Sequence, residues 1–143
     1  MPVVIESSEV IDRKASVVFR FYAVNHVENH PRWDPDMKLE QVSPGSIGVG
    51  TVIRRVNSHS GSPVEGTMTV TEFEIDHSMT VEIQDGPVRT IGRVSLEALG
   101  PDRTQLTIQA IFPDSDDPTL KQVLAPMIQR SARNIKKLVE SES

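Results

Sequence analysis

One amphipathic segment near the C-terminus, from Asp116 to about Glu140, constrains the fold of this 143-residue chain more than any other feature. Its apolar residues recur every three or four positions, which predicts a long helix with one buried face. Pro118 suits the first turn of a helix, and Pro126 predicts a kink in its middle. The residues predicted on the buried face are Leu120, Val123, Leu124, Met127, Ile128, Ser131, Ile135 and Leu138.

The chain before this helix has the pattern of an antiparallel sheet. Segments rich in β-branched residues are separated by turn signals about every ten residues, such as Asp85-Gly86-Pro87, and short turns join neighbouring strands antiparallel. Along the longest segment the alternation of apolar and polar residues changes phase at Phe73 and Ile75, which predicts a bulge or a sheet edge. The predicted strands cover residues 3–11, 37–43, 51–57, 64–75, 80–84, 88–99 and 104–112.

Two short helices are predicted between the first strand and the rest of the sheet. One covers residues 15–24, and Asn25 with Glu28 predicts a capping box for the second, which Pro31 should end. Strands followed by one long helix indicate a single α+β domain over residues 1–143, with a curved antiparallel sheet of about six to seven strands around the helix. Such a sheet cannot close tightly on one helix everywhere, so a cavity should remain between them.

Composition excludes several classes of function. The net charge of −5 argues against nucleic acid as a partner, because binding to phosphate backbones depends on Lys and Arg. No apolar run is long enough to span a bilayer and no signal-peptide pattern is present, so no integral membrane contact is expected. The chain has no cysteine, which excludes disulfides and thiolate chemistry. A cytoplasmic location and the absence of a cofactor are the expectations.

The order of elements and several short motifs resemble the helix-grip domains of the START/Bet v 1-like (SRPBCC) superfamily, in its polyketide cyclase/dehydrase and lipid-transport group. This resemblance covers essentially the whole chain. It implies a cavity under the long helix that binds apolar or amphipathic small molecules, with cyclisation or dehydration catalysed in some members. The matching motifs, besides the opening strand and the C-terminal helix, are Ile-Asp-Arg-Lys-Ala-Ser-Val-Val-Phe-Arg-Phe at 11–21, His-Pro-Arg-Trp-Asp-Pro-Asp-Met at 30–37, Gly-Val-Gly-Thr at 48–51, Glu-Gly-Thr-Met-Thr-Val-Thr-Glu-Phe at 65–73 and Asp-Arg-Thr-Gln-Leu-Thr at 102–107.

Strand alternation and the resemblance together predict the lining of that cavity. In the resembling family a tryptophan at the position of Trp33 closes the end of the cavity, and Met127 and Ser131 lie on the buried face of the long helix. Either Arg54 or Arg55 faces inward on a regular strand, where it would suit a ligand oxygen, and alternation alone does not decide which. The predicted ligand-binding residues are Trp33, Arg54, Met68, Val70, Val81, Ile83, Val94, Leu96, Leu106, Ile108, Ala110, Met127 and Ser131.

Two histidines on the second short helix raise the question of a metal site. His26 and His30 are four residues apart, which places both imidazoles on one helix face. The sequence between them is not the His-Glu-x-x-His of metalloproteases, and a third ligand would have to come from Asp34, Asp36 or His59. Histidines that are exposed to solvent or bonded to a helix cap are the preferred interpretation, and no metal is predicted.

No arrangement in the sequence identifies a catalytic residue. Gly45, Gly48 and Gly50 precede a strand and not a helix, so they indicate a turn and not a phosphate-binding loop. Neither an inward carboxylate pair nor a Ser-His-Asp set can be placed from spacing. The preferred hypothesis is a monomeric or homodimeric protein that binds, and in one version transports, a small hydrophobic or amphipathic molecule. The alternatives are a polyketide cyclase/dehydratase-type enzyme acting on a carbonyl-containing ligand, and a protein-interaction module with a vestigial cavity.

Overall fold

A computed structural model describes residues 2–142 of the chain. Every predicted strand and helix is present, and apart from the end of the first helix their ends lie within two residues of the predicted ones. Residues 20–24, at the end of the first predicted helix, have π-helical geometry. In chain order the elements are β1 (Val3–Ile11), α1 (Ala15–Phe19), the π-helical segment (Arg20–Val24), α2 (His26–Trp33), β2 (Met37–Gln41), β3 (Val52–Asn57), β4 (Val64–Glu74), β5 (Ser78–Asp85), β6 (Val88–Gly100), β7 (Arg103–Phe112) and α3 (Pro118–Glu142).

The seven strands form one antiparallel sheet in the order β1-β7-β6-β5-β4-β3-β2. β1 pairs with β7, from Val3 opposite Phe112 to Ile11 opposite Thr104, while every other pair joins strands adjacent in sequence. The chain therefore crosses from one edge of the sheet to the other through the short helices, with α1 beside β6 and β7 and α2 beside β2. This arrangement confirms the predicted α+β helix-grip fold.

The main core lies where the short helices and the second half of α3 meet the sheet. Ala132, Ile135 and Val139 of α3 are at most 1% exposed and belong to this core. The predicted bulge is present, because the register of β4 against β5 shifts between Val70 and Glu72. Beyond the bulge, the phenyl ring of Phe73 packs edge-on against Phe19 of α1, at 5.2 Å between ring centroids.

The first half of α3 differs from the prediction at Val123, which is 61% exposed. The residues that pack on the sheet there are Leu120, Leu124, Ala125 and Ile128, against Val3, Ile5, Ala110 and Phe112. Three of these helix positions are spaced by four residues, with Ala125 to one side of them, and Val123 lies on the opposite side, about 60° from Leu120. Pro126 lies inside α3, which continues as one helix on both sides of it. Among residues 2–142, none of the helices combines the length and apolarity needed to cross a membrane.

Two predictions for α2 are wrong. Asn25 forms no side-chain cap, since its amide ends the π-helical segment by donating to the Arg20 carbonyl at 2.9 Å and its backbone lacks the extended conformation of a typical cap residue. The capping box with Glu28 therefore does not form. Pro31 does not end α2, which runs on to Trp33. A proline within the last turn removes only its own amide donor, and the Asp34 amide still bonds the His30 carbonyl at 3.0 Å.

Candidate functional site

A cavity of about 380 Å³ lies between α3 and the inner face of the sheet. It remains open because α3 packs mainly on the edge strand β1 and leaves the inner faces of β4, β5 and β6 uncovered. α2 and the loop between β3 and β4 close one end. Most of the wall is apolar, and its apolar residues are Val64, Met68, Met79, Val81, Ile83, Val88, Val94, Ile108, Ala110, Phe112, Leu124, Met127 and Ile128.

Most of the predicted lining residues meet in this cavity. Val70, Leu96 and Leu106 do not, because they are buried in the main core, where Phe19 of α1 and Ile135 of α3 pack among the strands. Their side chains point inward, but at an end of the sheet that the helices fill. The predicted residues that line the cavity are Trp33, Met68, Val81, Ile83, Val94, Ile108, Ala110, Met127 and Ser131.

The prediction that Arg54 lines the cavity is wrong. Ile53 and Arg55 are buried on the inner face of β3, and Arg54 between them points outward. There its guanidinium donates to the carboxylate of Glu40 at 3.2 Å, and both side chains are exposed. Arg55 is the inward cation, with only 7% of its surface exposed.

Arg55 is paired within the cavity with Asp85 of β5. Its Nη2 donates to Asp85 Oδ2 at 2.9 Å, and its Nε lies 2.9 Å from Oδ1. Asn57 Nδ2 also donates to Oδ2, at 3.1 Å, and Arg55 Nη2 lies 3.7 Å from the sulfur of Met37. The positive charge of Arg55 is therefore compensated by the partly buried carboxylate of Asp85, as a charge removed from water requires.

A cluster of aromatic and imidazole rings forms the neighbouring wall of the cavity. Tyr22, His26, His30 and Trp33 are spaced by four, four and three residues, so they share one face of the helical segment. The rings of Tyr22 and His30 both stack on Trp33, each with its centroid 5.0 Å away. Burial raises the pKa of the Tyr22 phenol to about 12, which keeps it neutral.

The two histidines of this cluster are bonded to each other. His26 is 1% exposed, its Nδ1 lies 2.7 Å from the backbone carbonyl of Tyr22, and its Nε2 lies 2.9 Å from His30 Nδ1. Burial lowers the pKa of His26 to about 4. Burial and the nearby charges of His26 and Arg55 also lower the pKa of His30 well below its usual value. The interpretation of these residues as exposed or cap-bonded histidines is therefore wrong.

The third histidine closes the same end of the cavity from the β3–β4 loop. His59 Nε2 lies 2.8 and 2.9 Å from the two carboxylate oxygens of Asp34, which raises the pKa of this imidazole above its usual value. Donor atoms of Asp34, Asp36 and His59 lie within 4.8 Å of one another. Asp34 already binds the His59 imidazole, so this geometry indicates an ion pair that holds the β3–β4 loop against the end of α2. The absence of a metal stays a prediction.

The polar residues of the site were only partly identified from the sequence. Tyr22, His26, His30 and Trp33 form a regular helical face, and that spacing was available as a signal for a shared wall. Asp85 had no such signal. Its proximity to Arg55 depends on the register of three strands, in which Gly66 lies directly opposite both residues.

Comparison with known families agrees with this architecture. The family model described as "Polyketide cyclase / dehydrase and lipid transport" matches residues 2–140. The chain belongs to this family. It is a member of the SRPBCC superfamily, a fold family that binds small hydrophobic ligands. No curated protein sequence matches the chain significantly.

Solved structures extend the likeness to the whole fold. A START superfamily protein from Mycobacterium smegmatis has a TM-score of 0.80 and 16% identity, with 98% of this chain and 99% of that chain covered. The Zhui aromatase/cyclase from Streptomyces sp. R1128 has a TM-score of 0.79 and 16% identity, with coverage of 98% and 94%. The structure of Ara h 8.0201 has a TM-score of 0.77 and 17% identity, with coverage of 99% and 100%. At these identities the likeness shows the fold alone.

Proposed function

We propose that this protein binds a small hydrophobic or amphipathic molecule in the cavity under α3. A stronger form of the proposal is that the protein also transports this molecule. The observation that carries the proposal is the cavity itself, about 380 Å³ of space with apolar walls and polar groups gathered at one end. Burial of apolar ligand surface there supplies the affinity, at roughly 25 cal/mol per Å² before the costs of association. The polar end orients the ligand.

Membership of the family supports the same proposal. The family includes both polyketide cyclases and lipid-transport proteins, and both activities require a bound ligand. Exposed large apolar residues give less support to a protein-interaction module. They are distributed over different elements, as with Val4 on β1, Ile75 after β4, Leu99 near the end of β6 and Val123 on α3. A protein interface normally needs a contiguous patch.

A pair of matched variants tests the binding site. Ser131 lines the cavity on α3, and Ser141 on the same helix is exposed. Ser131→Trp should fill the cavity and weaken binding of the neutral dye N-phenyl-1-naphthylamine by at least about tenfold, or about 1.4 kcal/mol, while Ser141→Trp should leave it unchanged. Titration of dye fluorescence measures both, and native mass spectrometry of the wild type identifies any copurified ligand. Equal dye affinity in the two variants would contradict the proposal.

A second candidate function is a cyclase or dehydratase that acts on a carbonyl-containing ligand. The observation that favours it is the polar end of the cavity, where a neutral imidazole, His30, lines the same space as the Arg55–Asp85 pair. The lone pair of a neutral imidazole can accept a proton, although the lowered pKa of His30 makes it a weaker base than an ordinary histidine. Incubation with a synthetic β-polyketone, followed by mass spectrometry for loss of water, tests it. Turnover that His30→Phe abolishes without loss of binding would favour the enzyme over simple binding.

A further inference from the structure

A chain of three hydrogen-bonding groups at the polar end of the cavity has a fixed direction. The backbone carbonyl of Tyr22 can only accept, so His26 Nδ1 must carry the proton of the 2.7 Å bond. In a neutral ring the other nitrogen, Nε2, is then an acceptor. His30 Nδ1 must therefore donate to it across the 2.9 Å contact. The proton positions of both imidazoles thus follow from one backbone carbonyl.

The same chain leaves a lone pair on the last nitrogen, Nε2 of His30. His30 lines the cavity, and among residues 2–142 nothing forms a hydrogen bond with this nitrogen. A second proton on the ring would create a cation in a buried site near Arg55 and His59, and the charges of both oppose it. Nε2 therefore presents a hydrogen-bond acceptor to whatever occupies the cavity.

Charge balance in the cavity disfavours an anionic ligand. Arg55 is the permanent cation of the lining and is already paired with Asp85, while His59, when it is protonated, is paired with Asp34. Asp36 adds a further negative charge beside His59. A ligand carboxylate would have to leave water without a free cation to compensate it, which is costly.

We propose that His30 is the specificity-determining residue of the cavity, and that it selects ligands whose polar end is a neutral O–H or N–H donor over ligands that end in a carboxylate. This inference rests on the proposed binding function and deepens it. The donor of the ligand would bond His30 Nε2, while its apolar body would lie along Met68, Val81 and Met127. His26 acts as a positioning residue, because it holds the proton of His30 on Nδ1.

Four probes with the same two-ring body test this selectivity at pH 7.5. They are naphthalene, 2-naphthol, 2-methoxynaphthalene and 2-naphthoate, which present no polar group, a donor, an acceptor only and an anion. Equilibrium dialysis measures the dissociation constant of each. Wild-type protein should bind 2-naphthol about tenfold more tightly than 2-methoxynaphthalene or 2-naphthoate, since one additional buried hydrogen bond has about that effect.

His30→Phe keeps a ring on Trp33 and removes the acceptor, so the preference for 2-naphthol should fall below about threefold, with naphthalene binding retained. His77→Phe, at an exposed histidine in the β4–β5 turn, is the matched control and should keep the preference. A second measurement needs no variant. Long-range ¹H–¹⁵N correlation spectra should show His30 as the neutral tautomer protonated on Nδ1, with a shift of its Nε2 resonance when 2-naphthol binds.

The outcomes separate the inference from the proposed function. Equal affinity for 2-naphthol and 2-methoxynaphthalene, tightest binding of 2-naphthoate, or a His30 ring protonated on Nε2 would overturn the selectivity while leaving apolar binding in place. Failure of all four probes to bind, naphthalene included, would overturn the proposed function and the inference with it. A preference for 2-naphthol that His30→Phe removes would establish both.

Discussion

Arg55 and Asp85 form their ion pair across a single residue, Gly66, which is the direct cross-strand neighbour of both. The three residues lie in one row across β3, β4 and β5. A methyl group on Gly66 would lie 2.4 Å from Asp85 Oδ1 and 2.3 Å from the Gln84 carbonyl oxygen. The missing side chain is therefore what allows the carboxylate of Asp85 to reach the guanidinium inside the cavity.

Gly66→Ala should destabilise the protein by about 1–3 kcal/mol, because the new methyl group must displace backbone atoms and the Asp85 side chain. Gly100→Ala is the control. Gly100 also lies in a strand, and an added Cβ there meets nothing within 4 Å. Urea denaturation of both variants measures the difference. Equal stability of the two variants would show that β4 and β5 separate at little cost.

Removing one partner of the Arg55–Asp85 pair should lower the free energy of unfolding more than removing both partners. Asp85→Ala leaves Arg55 buried without a counter-charge, for which about 3–5 kcal/mol is typical, and Arg55→Met with Asp85→Leu should restore part of that stability. The exposed pair Arg54–Glu40 on the other face of β3 is the reference. A double-mutant cycle with alanine at both positions should give a coupling energy below about 1 kcal/mol. Chemical denaturation of these variants, together with Arg55→Met alone and Asp85→Leu alone, completes the two double-mutant cycles. A double variant as unstable as Asp85→Ala would contradict this account.

Acid should destabilise the fold through His26 and His30. Their folded-state pKa values are lowered, that of His26 to about 4, so the unfolded chain binds more protons below its pKa of about 6.5. The stabilisation that the two neutral histidines contribute is fully present above about pH 6.5. As the pH falls toward 4, the free energy of unfolding decreases by about 1.4 kcal/mol per pH unit for each proton that the unfolded chain binds in excess. The difference in unfolding free energy between pH 7 and pH 5 should shrink in His26→Phe and not in the exposed-site control His77→Phe. Equal pH dependence in both variants would exclude His26 as the source.

High pH should weaken the ion pair between His59 and Asp34. The carboxylate raises the folded-state pKa of His59, so its stabilisation is complete below the unfolded pKa of about 6.5 and is lost as the pH rises through the raised value. Asp34→Asn should lower the pKa of His59 measured by NMR titration, and exchange of the β3–β4 loop amides should become faster. An unchanged His59 pKa in Asp34→Asn would mean that the contact does not persist in solution.

Much of the fold could be predicted from local patterns because they depend on neighbouring residues in the chain. The alternation in residues 104–112 predicts a strand with one buried face, and β7 alternates in burial along nearly its whole length. The phase change at Phe73 likewise predicted a bulge or a sheet edge, and the register shift after Val70 shows that it is a bulge. On α3 the sequence pattern predicts which residues share one side of the helix, but not the angle at which the sheet covers that side. The prediction of burial was therefore correct for Leu124 and wrong for Val123.

The sequence by itself determined the strands, the long helix and the fold family of this protein, because hydrophobic periodicity and turn residues act over short distances. Only the tertiary structure decided the chemistry of the cavity. Whether Arg54 or Arg55 faces inward depends on how β3 pairs with its neighbours, and the Arg55–Asp85 pair joins residues 30 positions apart. The burial of His26 and the partial burial of His30 likewise depend on the packing of distant segments around α2. Burial and charge pairing arise from distant segments packed together, and no local pattern encodes them.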